Sequence, residues 1–262
     1  MVSDFKKFFE RRMVPTPLGG MNWLSAMAGS PAAADLLLIH GMIVSSSYMV
    51  PTAAQLAAHY NVYVPDLLGR GLSETPESFV SIEEQAKILA EAIRGLGLKK
   101  PIVAGGSQGA HVAVELANQM EVGGLIFIGP TRGGELRDAI GRLSADAFRE
   151  PPELVCAVMS EVCRIGIPNV LKLLEDTLAY PFHERLRKAN VPTLLIMGEH
   201  DPFYELEFIS AIHEGAKNVQ GICIRQTAHG LPFSEPEIIS DYIHNFVQSI
   251  RGQDYSDAAL AA

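Results

Sequence analysis

Pro101-Ile102-Val103-Ala104-Gly105-Gly106-Ser107-Gln108-Gly109 carries an apolar run straight into a serine set among glycines, and a helical pattern follows. A strand that turns this sharply into a helix holds its turn residue in a strained backbone conformation, which small neighbours make tolerable. Glycine at 105 and 109 removes the Cβ atoms that would collide there, so the Ser107 hydroxyl stands clear of the strand's carboxyl end. The first helical amides have no partner within the helix and point at the same place, where they can hold an oxyanion without rearrangement. Ser107 is therefore read as a nucleophile.

Two other readings of the stretch compete. Ala104-x-Gly106-x-x-Gly109 nearly fits a dinucleotide-binding turn, but the next apolar strand, Leu125–Ile128, ends in Gly129-Pro130-Thr131 with no acid to hold a ribose hydroxyl. A plain tight turn is the bland alternative, and the rest of the chain decides against it.

Outward from Ser107, short apolar strands alternate with helical patterns, the signature of a mainly parallel sheet covered on both faces. Strands are expected at Leu36–Ile39, Val62–Val64, Ile102–Ala104, Leu125–Ile128, Thr193–Met197 and Gly221–Ile224. Arg12–Thr16 and Met21–Ala28 flank Leu18-Gly19-Gly20 as an antiparallel edge hairpin. Ser81-x-x-Glu84 reads as a capping box opening a helix that buries Ile82, Ala86, Leu89 and Ile93 and stops near Gly95. Ser234-x-x-Glu237 with Pro236 reads as a second, opening a helix with Ile239, Ile243, Phe246 and Ile250 on one face. Between Ile128 and Thr193 the rhythm breaks into helical patterns such as Leu154–Ser160 and Val170–Leu174, so residues 131–189 are expected to cap the strand ends. Residues 1–130 and 190–252 then form the core, and 253–262 a disordered tail.

Bulk properties narrow the function. With 262 residues, 48% of them apolar, the chain can bury the core of one large α/β domain. A net charge of −9 without any Lys/Arg cluster beyond a pair disfavours nucleic acid and anionic membrane as partners. No run approaches the roughly 18 apolar residues of a spanning helix, and Phe5–Arg12 contains no signal-peptide core, so a cytoplasmic protein is expected. Cys156, Cys163 and Cys223 have no metal spacing and read as buried reduced thiols; neither a metal nor a cofactor is expected. The expected partner is a small-molecule ester, with a homodimer as the one assembly left open.

An acyl-transfer serine requires a base and an acid that orients it. Thr193–Met197 leads into Gly198-Glu199-His200-Asp201-Pro202, and Gly221–Ile224 into Thr227-Ala228-His229-Gly230. His229 stands in a loop beside glycine, whereas His59, His111, His183, His213 and His244 lie on helical patterns where packing is the default. Asp201 is preferred over Glu199 as the acid because its short side chain stays near a turn limited by Pro202. The Met42 amide, after His40-Gly41, and the Gln108 amide are the expected oxyanion donors, with His40 orienting the turn. A neutral His229 is needed, which puts the rise of activity between about pH 6 and 7.5.

Leu38-Ile39-His40-Gly41, Asp66-x-x-Gly69-x-Gly71-x-Ser73, Gly105-x-Ser107-x-Gly109, Gly198-x-x-Asp201 and His229, in this order, resemble the α/β-hydrolase fold superfamily over almost the whole chain. The resemblance implies an eight-stranded, mostly parallel sheet with helices on both faces, a helical cap after the sixth strand, no cofactor, and an acyl-serine intermediate. Serine at the elbow is unlike the aspartate of members that open epoxides or displace halide. Carboxylester or thioester hydrolysis ranks first. C–C hydrolysis of meta-cleavage type ranks second, since those members carry more glycine in the oxyanion turn than His40–Val44, and a non-catalytic ligand receptor is the alternative of another class. Ile43 and Tyr48 at the entrance and Phe148 and Met159 in the cap are expected to wall the pocket. Arg132 is the single candidate clamp for an anion.

Overall fold

Leu36-Leu37-Leu38-Ile39 and Leu125-Ile126-Phe127-Ile128 do not alternate with polar residues, so both faces of these strands must be covered. The computed structural model, which describes residues 8–215 and 219–260, covers them. Leu36, Leu38, Ile126, Leu194 and Ile196 face one core cluster, and Leu37, Ile39, Leu125, Phe127 and Leu195 the other.

The strands are β1 (Glu10–Thr16), β2 (Gly19–Ala26), β3 (Asp35–Ile39), β4 (Asn61–Pro65), β5 (Ile102–Gly106), β6 (Gly124–Ile128), β7 (Thr193–Gly198) and β8 (Val219–Ile224). They form one eight-stranded sheet in the order β1-β2-β4-β3-β5-β6-β7-β8. β1 and β2 are the expected hairpin, β2 runs antiparallel to β4, and the remaining pairings are parallel. Register does the functional work: Ile39 pairs with Gly105, Gly106 with Ile128 and Gly198 with Ile224. The turns after β3, β5, β6, β7 and β8 therefore emerge along one edge.

The helices are α1 (Ser46–Leu56), α2 (Ile82–Gly95), α3 (Gln108–Gln119), α4 (Leu136–Asp146), α5 (Pro152–Ile165), α6 (Ile167–Ala179), α7 (Phe182–Ala189), α8 (Leu206–Gly215), α9 (Leu231–Ser234) and α10 (Pro236–Leu260). α1 and α10 cover one face of the sheet through Val50, Ala53, Leu56, Ile239, Ile243 and Phe246. α2, α3, α7 and α8 cover the other, through residues that include Ile82, Leu89, Val112, Leu186 and Ile212. α4 to α7 occupy the interval between β6 and β7. Within it, α7 packs on α3, and Tyr180, Phe182 and Leu186 join the core cluster beneath, so this end of the interval belongs to the sheet's own layer.

The Ser81 capping box is present: Glu84 N donates to Ser81 Oγ at 3.3 Å, and Ser81 N to Glu84 Oε2 at 2.9 Å. The expected Ser234 box is not. Ser234 closes α9 and its hydroxyl donates to Gly230 O at 3.2 Å. Pro236 holds the residue before it out of the helical region, so α10 begins at Pro236 and Ser234 is one position too far upstream to cap it. The three cysteines are exposed rather than buried, because Cys156 and Cys163 lie on the outer side of α5 and Cys223 on edge strand β8. Of the N-terminal stretch, residues 1–7 lie outside the described residues. α10 extends to Leu260, and the expected tail's Ala261 and Ala262 lie outside the described residues as well. Among the described residues no single helix is long and apolar enough to cross a membrane.

At the turn between β5 and α3, a Cβ on Gly105 would run into the carbonyl of Gly109, and one on Gly109 into the carbonyl of Ile39. Backbone has no side-chain freedom with which to give way, so Gly105→Ala should destabilise the protein by about 3 kcal/mol. Gly134→Ala, where a new Cβ meets nothing within 4 Å, should stay within about 0.5 kcal/mol of wild type. Urea unfolding of the two variants checks this; equal midpoints would contradict the tight packing of the turn.

Candidate active site

Ser107 sits at φ 52°, ψ −122°, in the left-handed half of backbone space that a non-glycine residue enters only under constraint. Its amide donates to Ile128 O at 2.9 Å, which ties the turn to β6. Its hydroxyl lies 3.2 Å from Thr131 Oγ1. Thr131 had no motif to mark it.

The loops after β7 and β8 bring Asp201 and His229 together. His229 Nδ1 donates to Asp201 Oδ2 at 2.8 Å, and Asp201 Oδ1 accepts from Phe203 N at 2.8 Å, so both carboxylate oxygens are engaged. His200 N donates to Thr227 O at 2.9 Å and locks the two loops to each other. Gly129, at φ +57°, makes room: a Cβ there would lie 2.8 Å from Asp201 Oδ2 and 3.2 Å from His229 Nδ1. The Phe203 ring meets the imidazole edge-on at 5.5 Å. His229 Nε2 is buried with no protein partner among the described residues. Glu199, the rival acid, is exposed and accepts from Gln226 N on the far side of the loop.

Met42 and Gln108 flank Ser107 as expected, and all three line one cavity. Gln108 is the first residue of α3, and neither its amide nor that of Met42 donates to a protein acceptor among the described residues. His40 orients the Met42 turn: Leu67 N donates to its Nε2 at 2.9 Å, and its Nδ1 donates to Gly41 O at 2.7 Å. Burial lowers its pKa to about 4 against the raising charge of Asp66, so the ring stays neutral with its proton on Nδ1. The Gln108 side chain donates to Thr177 Oγ1 at 2.6 Å and accepts from Arg70 Nη2 at 3.3 Å, joining the elbow to α6 and the Asp66–Ser73 loop.

The cavity opens to solvent, and about 930 Å³ of empty space lies in it and its open mouth together. Ile43, Tyr48 and Met159 line it, with Val44, Leu154, Val158 and Phe203 among the other apolar walls. Phe148 does not: it lies in the turn after α4, 93% exposed, while Asp146 and Ala147 before it face inward. Arg132 is held by Glu205 at 3.0 Å and takes no part in the lining. Asp146 and Glu150, two carboxyls from the cap, do line it, and sequence reading passed over them because two more acids at a four-residue spacing look like any solvated helix face.

Burial pulls the His229 pKa down, but the charge and hydrogen bond of Asp201, then the charges of Asp146 and Glu150, outweigh it and raise the pKa to about 9. This moves the expected deprotonation above the range of about 6 to 7.5 drawn from an unperturbed imidazole.

A strained serine at a strand-to-helix turn, two loops holding a histidine against an aspartate, and two unengaged amides are thus gathered in one cavity. The family model of the alpha/beta hydrolase family matches residues 36–242. The chain belongs to the alpha/beta hydrolase family. An uncharacterised protein of Mycobacterium tuberculosis is 26% identical, the match covering 90% of this chain and 81% of that protein. The carboxylesterase YbfK of Bacillus subtilis is 24% identical over 84% of this chain and 82% of its own. The structure of a thermophilic esterase from Thermogutta terrifontis superposes with a TM-score of 0.76 at 20% identity, covering 92% of this chain and 99% of that one. The protein is a hydrolase with carboxylesterase-like relatives.

The His229 pKa is measurable without substrate. A ring-carbon NMR titration should place it near 9 in wild type, and Asp201→Asn should lower it toward or below the unperturbed value of about 6.5. Because the folded pKa is the higher, protonated His229 stabilises the fold fully below about pH 6.5, and this is lost as pH rises through about 9. A wild-type value near 6.5 would contradict the stacking of carboxylates around the ring.

Proposed function

We propose that the protein hydrolyses carboxylic esters, thioesters included, of small to medium apolar acids and alcohols through Ser107, His229 and Asp201. The observation that carries this reading is the left-handed Ser107 placed in the same cavity as a His229 imidazole whose other nitrogen is already held by Asp201.

In the first half-reaction His229 Nε2 takes the hydroxyl proton as Ser107 Oγ bonds to the acyl carbon, and the carbonyl oxygen gains the negative charge. The Met42 and Gln108 amides receive that charge, a stabilisation that needs no movement of the donors. Collapse breaks the bond to the alcohol, which leaves with the proton from His229. Water then adds to the acyl-serine, giving a proton to His229; the acid departs and the proton returns to Ser107. Asp201 fixes the tautomer, keeping Nδ1 protonated and Nε2 turned to the serine. Ser107 Oγ rests against Thr131 Oγ1, so a rotation about its Cα–Cβ bond is the small motion that engages the base.

The mostly aliphatic walls suit the hydrocarbon part of a small acyl or alcohol chain. The meta-cleavage alternative requires a dienoate carboxylate to be held. No Lys or Arg lines the cavity and two acids do, which favours the ester reading.

Ser107→Ala should lower kcat for p-nitrophenyl butyrate by on the order of 10⁴ to 10⁶ and abolish fluorophosphonate labelling while the fold persists. Labelling that survives would place the nucleophile elsewhere. Asp201→Asn should lose far more activity than Glu199→Gln, and kcat/KM of wild type should climb with pH through about 9, where His229 gives up its proton. A profile flat between about pH 6 and 9 would remove His229 from the role of base.

A further inference from the structure

The triad leaves Asp146 and Glu150 unused. Asp146 is the last residue of α4, and Glu150 lies four positions on in the turn to α5. Both face the cavity that holds Ser107 and His229. Glu150 Oε1 accepts from Gly230 N at 2.5 Å, which sets it against the residue next to His229. Asp146 is 4% exposed, and its buried Oδ1 has no hydrogen-bond partner among the described residues.

Burial raises both carboxyl groups above the ordinary carboxylate range. Glu150 reaches about 7, the Gly230 amide opposing burial and the Asp146 charge assisting it. The pair acts on His229 as negative charge. It stands among Met42, Leu143, Leu154 and Val158, with no Lys or Arg in the lining, and Arg149 beside it points to solvent. Arg132 and Arg142 of the cap both bind Glu205.

A buried charge without a partner is costly, and an oxygen with no donor adds to that. His229 offers a counter-charge only while protonated. To act as base it must lose that proton, leaving the Asp146–Glu150 pair and Asp201 uncompensated around it. We propose that Asp146 with Glu150 forms the binding site for a positively charged amine on the substrate, so that the protein acts on esters of small amine-bearing molecules. This rests on the ester-hydrolase reading and changes its substrate class from wholly apolar esters to esters whose otherwise apolar body carries one ammonium group. An ammonium group supplies the donor that Asp146 Oδ1 lacks. Held by Asp146 and Glu150 in the cavity that His229 also lines, it takes over the compensation and favours the neutral, proton-accepting form of His229.

Isosteric ester pairs test this on the wild-type enzyme at low ionic strength. Ethyl 3-aminopropanoate against ethyl butanoate places the charge on the acyl side; 2-(dimethylamino)ethyl acetate, whose protonated nitrogen carries an N–H, against 3-methylbutyl acetate places it on the alcohol side. The cationic member of at least one pair should be preferred in kcat/KM by about tenfold or more, the worth of one charge-assisted hydrogen bond in a desolvated site. In that pair its kcat should rise with pH at a lower apparent pKa than its neutral partner's. Asp146→Asn should bring the ratio of cationic to neutral toward one. Equal or lower values for the cationic members in both pairs overturn the proposal, as does a preference that survives in a folded Asp146→Asn. Calorimetric titration of wild type with n-butylammonium chloride and with 1-butanol needs neither turnover nor a variant. The ammonium should bind about tenfold tighter, and equal or weaker binding overturns the site. Failure to hydrolyse any of the four esters would overturn the ester reading, with calorimetry still deciding the amine site.

Discussion

A serine forced to φ 52° between a strand and a helix is possible only where two other backbones come within contact distance of the turn. Gly105 and Gly109 permit that approach, the first against the chain of α3 itself and the second against the end of β3. The remainder of the site depends on this closeness. Drawing β3 against the elbow brings the Gly41-Met42 turn beside Ser107, and the elbow's own hydrogen bond to Ile128 O brings in the Gly129–Thr131 turn. The strain is held by the parallel ladder on both sides of β5, where two aliphatic layers bury each strand.

The histidine and acid are placed by a different device. Their loops follow neighbouring strands and are stitched by His200 N to Thr227 O, with the carboxylate anchored by the Phe203 amide. Gly129 sits beneath them, and its missing side chain is space that the Asp201–His229 contact occupies. Such a site is rigid on the sheet side. On the cap side it is closed by polar ties of a few residues: Gln108 to Thr177, Arg142 to the Pro202 carbonyl, and Glu150 to Gly230.

Electrostatics and hydrophobicity pull in opposite directions within the cavity. Its walls are mostly aliphatic, yet three carboxyl groups act on one imidazole and hold its pKa near 9. The same low-dielectric surroundings that strengthen the Asp201–His229 bond make the Asp146–Glu150 pair expensive unless it takes up a proton or meets a cation. Burial of Tyr48 and His40 nearby keeps both neutral, so neither offsets the negative field.

Much of this was legible in the residues alone. Unbroken aliphatic runs require a sheet covered on both faces, and glycines around a serine require an elbow. A histidine and an acid in loops following strands can reach that edge, because parallel strands present their carboxyl ends together. These are local consequences of steric and solvation rules, which is why the six core strands, the edge hairpin and the Ser107, Asp201 and His229 positions were readable. The Ser234 cap misled because its pattern takes no account of Pro236 holding the preceding residue out of the helix. Phe148 misled because periodicity says nothing of which way a turn residue faces. Thr131, Thr177 and the Asp146–Glu150 pair carry no motif. Their neighbours are distant in sequence, and only the docking of α4 to α6 over the strand ends turns ordinary side chains into the walls and charges of a site.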